Sequence, residues 1–137
     1  MTDTVSYLPE ELATQYDIVQ APVHILMNGE SYPENEIELP PFYDKIPDWK
    51  ENDRLPTTSS PSPDDFVNAY RKLSSEHESI IYIGYSEHLG MAVQSARLAR
   101  DLVKDELTGR RIEILDSKSW GGAQTMITLE LVRSQPR

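Results

Sequence analysis

Residues 79–90 read SIIYIGYSEHLG. Ile80 to Ile83 is a run of β-branched and aromatic residues closed by Gly84. A short apolar run of that make-up, bounded by turn residues, reads as a buried strand. What lies on either side of it decides the fold. YSEHLG is a turn, and residues 88–107 then carry Leu89, Val93, Ala96, Leu98, Ala99, Leu102 and Val103 mostly on one broad side of a long helix. Gly109 stands where such a helix stops. Arg111 to Leu115 (RIEIL) is a second strand, DSKSWGG a loop, and Ala123 to Val132 a last helix. Upstream, Ser62 is a helix cap, Pro63 suits the first helical position, and Asp65 completes an Asp version of the capping box. Phe66, Ala69, Tyr70 and Leu73 then share one face at i, i+3, i+4 and i+7. From residue 63 the order is therefore helix, strand, helix, strand, helix. That alternation argues for parallel strands joined by right-handed crossovers. The expected fold is a layered α/β domain with a largely parallel central sheet and helices on both faces.

The first half is less regular. PEELATQY (9–16) reads as one or two helical turns. Residues 18–27 are β-rich and interrupted by Pro22, which marks an edge or a strand start. Asn28-Gly29 is a hairpin signal, with Glu30 to Tyr32 as the return strand. Seven of the ten prolines lie from Pro33 to Pro63, so the reading there is irregular chain with one short helix around Phe42 to Ile46.

Composition removes several functions. A net charge of -10 and a pI near 4.6 oppose binding to nucleic acid or to anionic membrane surfaces. The absence of cysteine removes thiolate nucleophiles and thiolate metal sites, and is compatible with a cytoplasmic location. The apolar runs are strand-sized, far short of the roughly 18 residues of a membrane span, and TDTVSYLPEEL after Met1 has no signal-peptide pattern. The length of 137 residues fits a single domain, 1–137. GxGxxG and P-loop patterns are absent, and His24, His77 and His88 show no zinc-like spacing, so neither a cofactor nor a metal is expected.

Ligands of parallel sheets collect beyond the carboxyl ends of the strands. Three loops belong there or nearby: TTSSPSP (57–63), YSEHLG (85–90) and DSKSWGG (116–122). The first offers the hydroxyls of Thr58, Ser59 and Ser60 in a chain stiffened by Pro56 and Pro61, a shelf of donors for an oxygen-rich ligand. The competing reading is an ordinary linker. Ser86 to Gly90 opens a helix whose free N–H groups can receive an anion, with Gly90 allowing close approach; a plain strand-to-helix turn is the alternative. Asp116-Ser117-Lys118 reads as a self-capped loop rather than a catalytic trio.

Together these segments resemble the N-terminal half of DegV-type proteins, bacterial fatty-acid-binding proteins. The family loop P-x-T-S-x-P-S-P stands here as Pro56-Thr57-Thr58-Ser59-Ser60-Pro61-Ser62-Pro63. The opening D-S-T-x-D-L-P is echoed by Asp3-Thr4-Val5-Ser6-Tyr7-Leu8-Pro9, the S-S-x-L-S-G-T-Y-x-S-A element by Ser86 to Ala96, and the D-S-[KR] loop by Asp116-Ser117-Lys118. The resemblance implies a protein that holds one long-chain fatty acid, its carboxylate at hydroxyl groups between two domains, and presents it to a separate kinase without itself being the catalyst. It implies Thr58 and Ser59 at the carboxylate, with Gly90 adjoining, and Met91 and Ser86 in tail-lining or secondary places. A core methionine is the other reading of Met91.

The departures are specific. Gly90-Met91-Ala92 replaces S-G-T, removing a serine, and Tyr7 replaces the second Asp. The strand that precedes the opening motif has no sequence here, because the chain begins at Met1. Family members are about twice this length, so a fragment, a stand-alone half and one partner of a split protein all remain open. A half pocket is expected to bind fatty acid weakly or not at all without a second DegV domain or a dimer to complete it. Two other classes stay open: an interaction module with no lipid role, and a hydrolase using Ser59 or Ser86, for which the sequence shows no evident His–acid pair.

Overall fold

The computed structural model describes residues 1–134. Strand β6 (Ser79–Gly84) pairs in parallel with β7 (Arg111–Asp116), with Ile80 opposite Ile112 and Ile83 opposite Leu115. Two further strands, β1 (Thr2–Asp3) and β2 (Gln20–Ala21), also run parallel to each other. Backbone bonds join the two pairs. The Met1 amino group donates to the Ile81 carbonyl at 2.8 Å, and the Ile83 N–H donates to the Met1 carbonyl at 3.0 Å. The spatial order is β2-β1-β6-β7, the parallel sheet that the helix–strand alternation requires. A short strand thus stands at the opening motif and includes the motif's own Asp3. It is Thr2–Asp3, two residues long, held between β2 and β6 by neighbours rather than by any pattern of its own.

Because side chains alternate across a strand, β6 serves two layers. Ile80 and Tyr82 join the larger core under α3 (Pro63–Ser74) and α4 (Ala92–Val103). Ile81 and Ile83 face the side of α5 (Gly122–Ser134). A second core on that side joins Leu8, Ile18 and Leu129 with Leu12 and Ala13 of α1 (Glu10–Gln15).

The local signals around α3 act as read. Ser62 Oγ accepts from the Asp65 N–H at 3.2 Å, and Asp65 Oδ2 accepts from the Ser62 N–H at 2.7 Å. Helix α4 is shorter than the expected 88–107, since Ser86 closes a turn before it: the Leu89 N–H donates to the Ser86 carbonyl at 2.9 Å. Its buried face is Val93, Ala96, Ala99 and Val103, while Leu89, Leu98 and Leu102 are exposed. Small residues occupy the inner face because α3 packs directly across it; the Tyr70 hydroxyl reaches the Ala96 carbonyl at 3.1 Å.

A second, antiparallel sheet has the order β4-β3-β5. Strands β3 (His24–Met27) and β4 (Glu30–Pro33) are joined at Asn28-Gly29, where both residues have positive φ (52° and 82°) as a primed hairpin turn demands. The third strand, β5 (Thr57–Ser59), comes from the proline-rich loop and pairs Ile25 with Thr58 and His24 with Ser59. This segment is a strand, not a free loop. The expected short helix at Phe42 to Ile46 is a longer one, α2 (Leu39–Glu51). Pro40 and Pro41 sit in its first turn, where their lost N–H groups cost nothing. It runs through Pro47, and Phe42 and Trp49 of the same helix pack edge to face with ring centroids 5.3 Å apart.

One buried carboxylate joins the layers. Asp3, fully buried at the end of β1, accepts from the Tyr82 hydroxyl at 2.7 Å, the Tyr85 N–H at 3.2 Å and the Gln124 amide at 3.1 Å. Burial pushes its carboxyl above the ordinary aspartate range, and the three donors pull it back. Removing the acceptor strands those donors, and an unsatisfied buried donor costs about 1–3 kcal/mol. Asp3→Ala should therefore lower unfolding free energy by about 3 kcal/mol in urea titrations. The pH dependence has a definite sign. With the folded-state pKa raised, the native protein binds the extra proton, so Asp3 contributes most below the unfolded-state pKa and less as pH climbs through the folded one. The stability advantage of the wild type over Asp3→Asn should shrink as pH rises from about 4. An advantage that grows over that range would contradict it.

Candidate functional site

At the carboxyl ends of β1 and β6 the three loops converge. Val5, Val23, Thr58, Ser59, Ser60, Tyr85, Leu89 and Trp120 line a single cleft. The convergence is built by hydrogen bonds between loops. The Ser86 N–H donates to the Ser119 carbonyl at 2.8 Å, and the Gly121 N–H to the Val5 carbonyl at 3.1 Å. The Met91 N–H donates to Ser60 Oγ at 3.0 Å, and the Val23 N–H to Thr4 Oγ1 at 3.0 Å.

The residues singled out in the sequence fall in different places. Thr58 and Ser59 are exposed on β5 and line the cleft; among the described residues neither hydroxyl has a protein partner. Gly90 lies behind Tyr85 at the cleft edge. Met91 is exposed beside it. Ser86 is buried, and its hydroxyl accepts from the His88 N–H at 3.3 Å within its own turn. Asp116 accepts from the Lys118 N–H at 2.8 Å, the self-capped loop expected. Sequence reasoning did not single out Tyr85, whose hydroxyl lies 2.6 Å from Ser60 Oγ. Its position one residue past the closing Gly84 of a central strand was the available signal.

The rim is apolar and open. The cleft's lining residues Leu89 and Trp120 are more than half exposed, as are Met91, next to Gly90, and Tyr7, beside Gly121. No Lys, Arg, His, Asp or Glu lines the cleft among the described residues, so its polar chemistry is that of hydroxyls. A second groove, between α5 and β6–β7, is more apolar, with Ile83, Leu115, Met126, Ile127 and Leu131 along it. Glu130 is its one charged group among the described residues, a poor neighbour for an anion.

A His–acid pair does exist. His24 Nε2 lies 2.9 Å from Asp65 Oδ2, and its Nδ1 lies 3.3 Å from Ser31 Oγ. The serine in reach is Ser31, not Ser59 or Ser86. Asp65 is already engaged by the α3 cap, and this row of residues lies outside the cleft. Asp17, Glu76 and His77 gather on the surface with ligand atoms within 4.8 Å of one another. All three are exposed and stand apart from the cleft.

A family model for DegV proteins, a family described as uncharacterised, matches residues 1–134. The chain belongs to the DegV family. It is 30% identical over 119 residues to a DegV domain-containing protein of Clostridium perfringens, covering 87% of this chain and 41% of that protein. Among solved structures it is similar to a fatty-acid-binding DegV family protein from Thermus thermophilus, with a TM-score of 0.80, 27% identity, and coverage of 98% of this chain and 47% of the other. It is also similar to DegV of Bacillus subtilis, a fatty acid binding protein, with a TM-score of 0.79, 27% identity, and coverage of 96% and 45%. The chain thus spans less than half the length of these DegV relatives. Among the described residues, no helix is long and apolar enough to cross a membrane.

The Ser60 contacts make the cleft wall testable. Ser60→Ala removes the acceptor of the Met91 N–H, so the Met91 amide should exchange with solvent at least several-fold faster while amides of β6 are unchanged. Equal exchange at Met91 in both proteins would show that this bond does not hold the wall.

Proposed function

We propose that this DegV chain supplies the head-group half of a fatty-acid-binding protein, which holds a long-chain fatty acid and presents its carboxylate to a separate kinase. The observation that carries the reading is the cleft itself: unpaired hydroxyls of Thr58 and Ser59 on a rigid strand, ringed by exposed apolar side chains. A carboxylate only accepts, and hydrogen bonds to a charged acceptor are the stronger kind. Hydroxyls orient it without neutralising it, which leaves a nucleophilic oxygen for phosphoryl transfer elsewhere. Leu89, Met91 and Trp120 receive the first methylenes of the tail. Each buried CH2 is worth roughly 0.8 kcal/mol, so a tail covered on one side binds weakly, and full affinity needs a second covering body. The apolar groove along α5 and β7 supports a second reading, in which this chain is chiefly one half of an assembly and that groove is where the other half packs.

The fatty-acid binding proteins of Thermus and Bacillus support the ligand class, and the family resemblance supports the kinase step. A serine hydrolase is disfavoured, because neither Ser59 nor Ser86 has a side-chain base within hydrogen-bond reach among the described residues.

The test is to extract the purified chain and look for fatty acid by mass spectrometry, then titrate palmitate. Thr58→Val combined with Ser59→Ala should weaken binding by at least tenfold, since each lost bond to a carboxylate is worth about 1.5–3 kcal/mol. Binding unchanged by the double substitution would remove the head group from this cleft.

A further inference from the structure

We infer that Tyr85 is a head-group ligand of the cleft, its hydroxyl taking the place that a side chain at position 90 would fill. The inference rests on the fatty-acid reading above and adds to it a donor and a constraint on Gly90.

The first support is space. A Cβ at position 90 would lie 2.5 Å from the Tyr85 hydroxyl oxygen, 3.0 Å from Tyr85 Cε2 and 3.0 Å from Ser60 Oγ. The phenol and any side chain at 90 therefore exclude each other. The Tyr85 ring cannot swing aside cheaply. It is only 6% exposed, it belongs to the core with Ala92 and Val93, and its backbone N–H is held by Asp3. Glycine at 90 is what allows a hydroxyl to arrive there from residue 85.

The second support is a count of protons. Ser60 Oγ and the Tyr85 hydroxyl lie 2.6 Å apart and share one hydrogen bond, and Ser60 Oγ also accepts from the Met91 N–H. Two hydroxyls carry two protons, and the bond between them uses one. The other has no acceptor among the described residues, and Ser60 and Tyr85 are both lining residues of the cleft. The phenolic proton is the more acidic, so with a carboxylate in the cleft Ser60 donates to Tyr85 and Tyr85 donates to the ligand. The relay Met91 N–H, Ser60, Tyr85 then delivers a third donor beside Thr58 and Ser59.

Octanoate, soluble at millimolar concentration, is the probe, with 1-octanol as the same tail lacking the carboxylate. Binding is followed by amide NMR shifts at cleft residues. Tyr85→Phe keeps the ring, so its effect reports on the hydroxyl; octanoate should bind about tenfold more weakly, the scale of one charge-assisted bond, with 1-octanol unchanged. Gly90→Ser alone should also weaken octanoate. The double variant Tyr85→Phe/Gly90→Ser should regain most of the affinity, and Tyr85→Phe/Gly90→Ala, which restores volume without a hydroxyl, should not. Octanoate binding equally well to Tyr85→Phe would overturn the inference and leave the lipid reading intact, as would equal recovery with alanine and serine at 90. Absence of any saturable octanoate shift at the cleft of the unsubstituted chain, both alone and with a second DegV domain added, would overturn the lipid reading and the inference together.

Discussion

A carboxylate with no exposure to water holds this molecule together beside its hydroxyl-lined cleft. Asp3 receives hydrogen bonds from the Tyr82 side chain in β6, the Tyr85 backbone in the following loop and Gln124 in α5. Those three groups belong to the central strand, the cleft wall and the opposite layer. Buried polar networks are costly when half satisfied and specifying when complete. Here the network fixes the register of a two-residue strand that has too few backbone bonds of its own to stay paired. It also sets the direction in which the chain leaves β6, and so where Tyr85 and the turn to α4 stand.

The cleft inherits its rigidity from that arrangement. Ser60 joins the proline-braced strand β5 to the start of α4, and Ser86 joins the β6 turn to the loop after β7. Donors held this way lose little entropy when a ligand arrives. The site is amphipathic by construction, with the hydroxyls of Thr58, Ser59 and Ser60 and the exposed side chains of Leu89 and Trp120 lining one cleft. Such a surface suits a molecule with an anionic end and an apolar body. It suits a polyanion poorly, in keeping with a chain of net charge -10.

Features encoded by neighbouring residues were legible in the sequence. The Ser62–Asp65 cap, the Asn28-Gly29 turn and the apolar run of β6 each carry a complete local signal. The convergence of three loops followed from the helix–strand order alone. What escaped was set by tertiary contact. Strand β1 owes its existence to Ile81 and Ile83, and β5 to the β3 edge beside it. Helix α2 has weak periodicity and an internal proline, so its full extent carried no local signal. In α4 the expected broad face included both leucines and small residues, and the fold buries only Val93, Ala96, Ala99 and Val103 of it against α3, leaving the leucines exposed. Thr58 and Ser59 were singled out from the family-like loop, and both line the cleft. Tyr85 was not, because the approach of its hydroxyl to Gly90 is set by the fold and carries no local sequence signal.

The central claim is that this hydroxyl cleft receives a carboxylate. Its most direct test is carboxyl-13C NMR of carboxyl-labelled octanoate titrated with the chain across pH. Hydrogen bonds to the ionised form favour it. The account predicts a shifted carboxyl resonance that saturates with protein and titrates at lower pH than the free acid. A carboxyl signal that keeps its free shift and free titration at every protein concentration would contradict it.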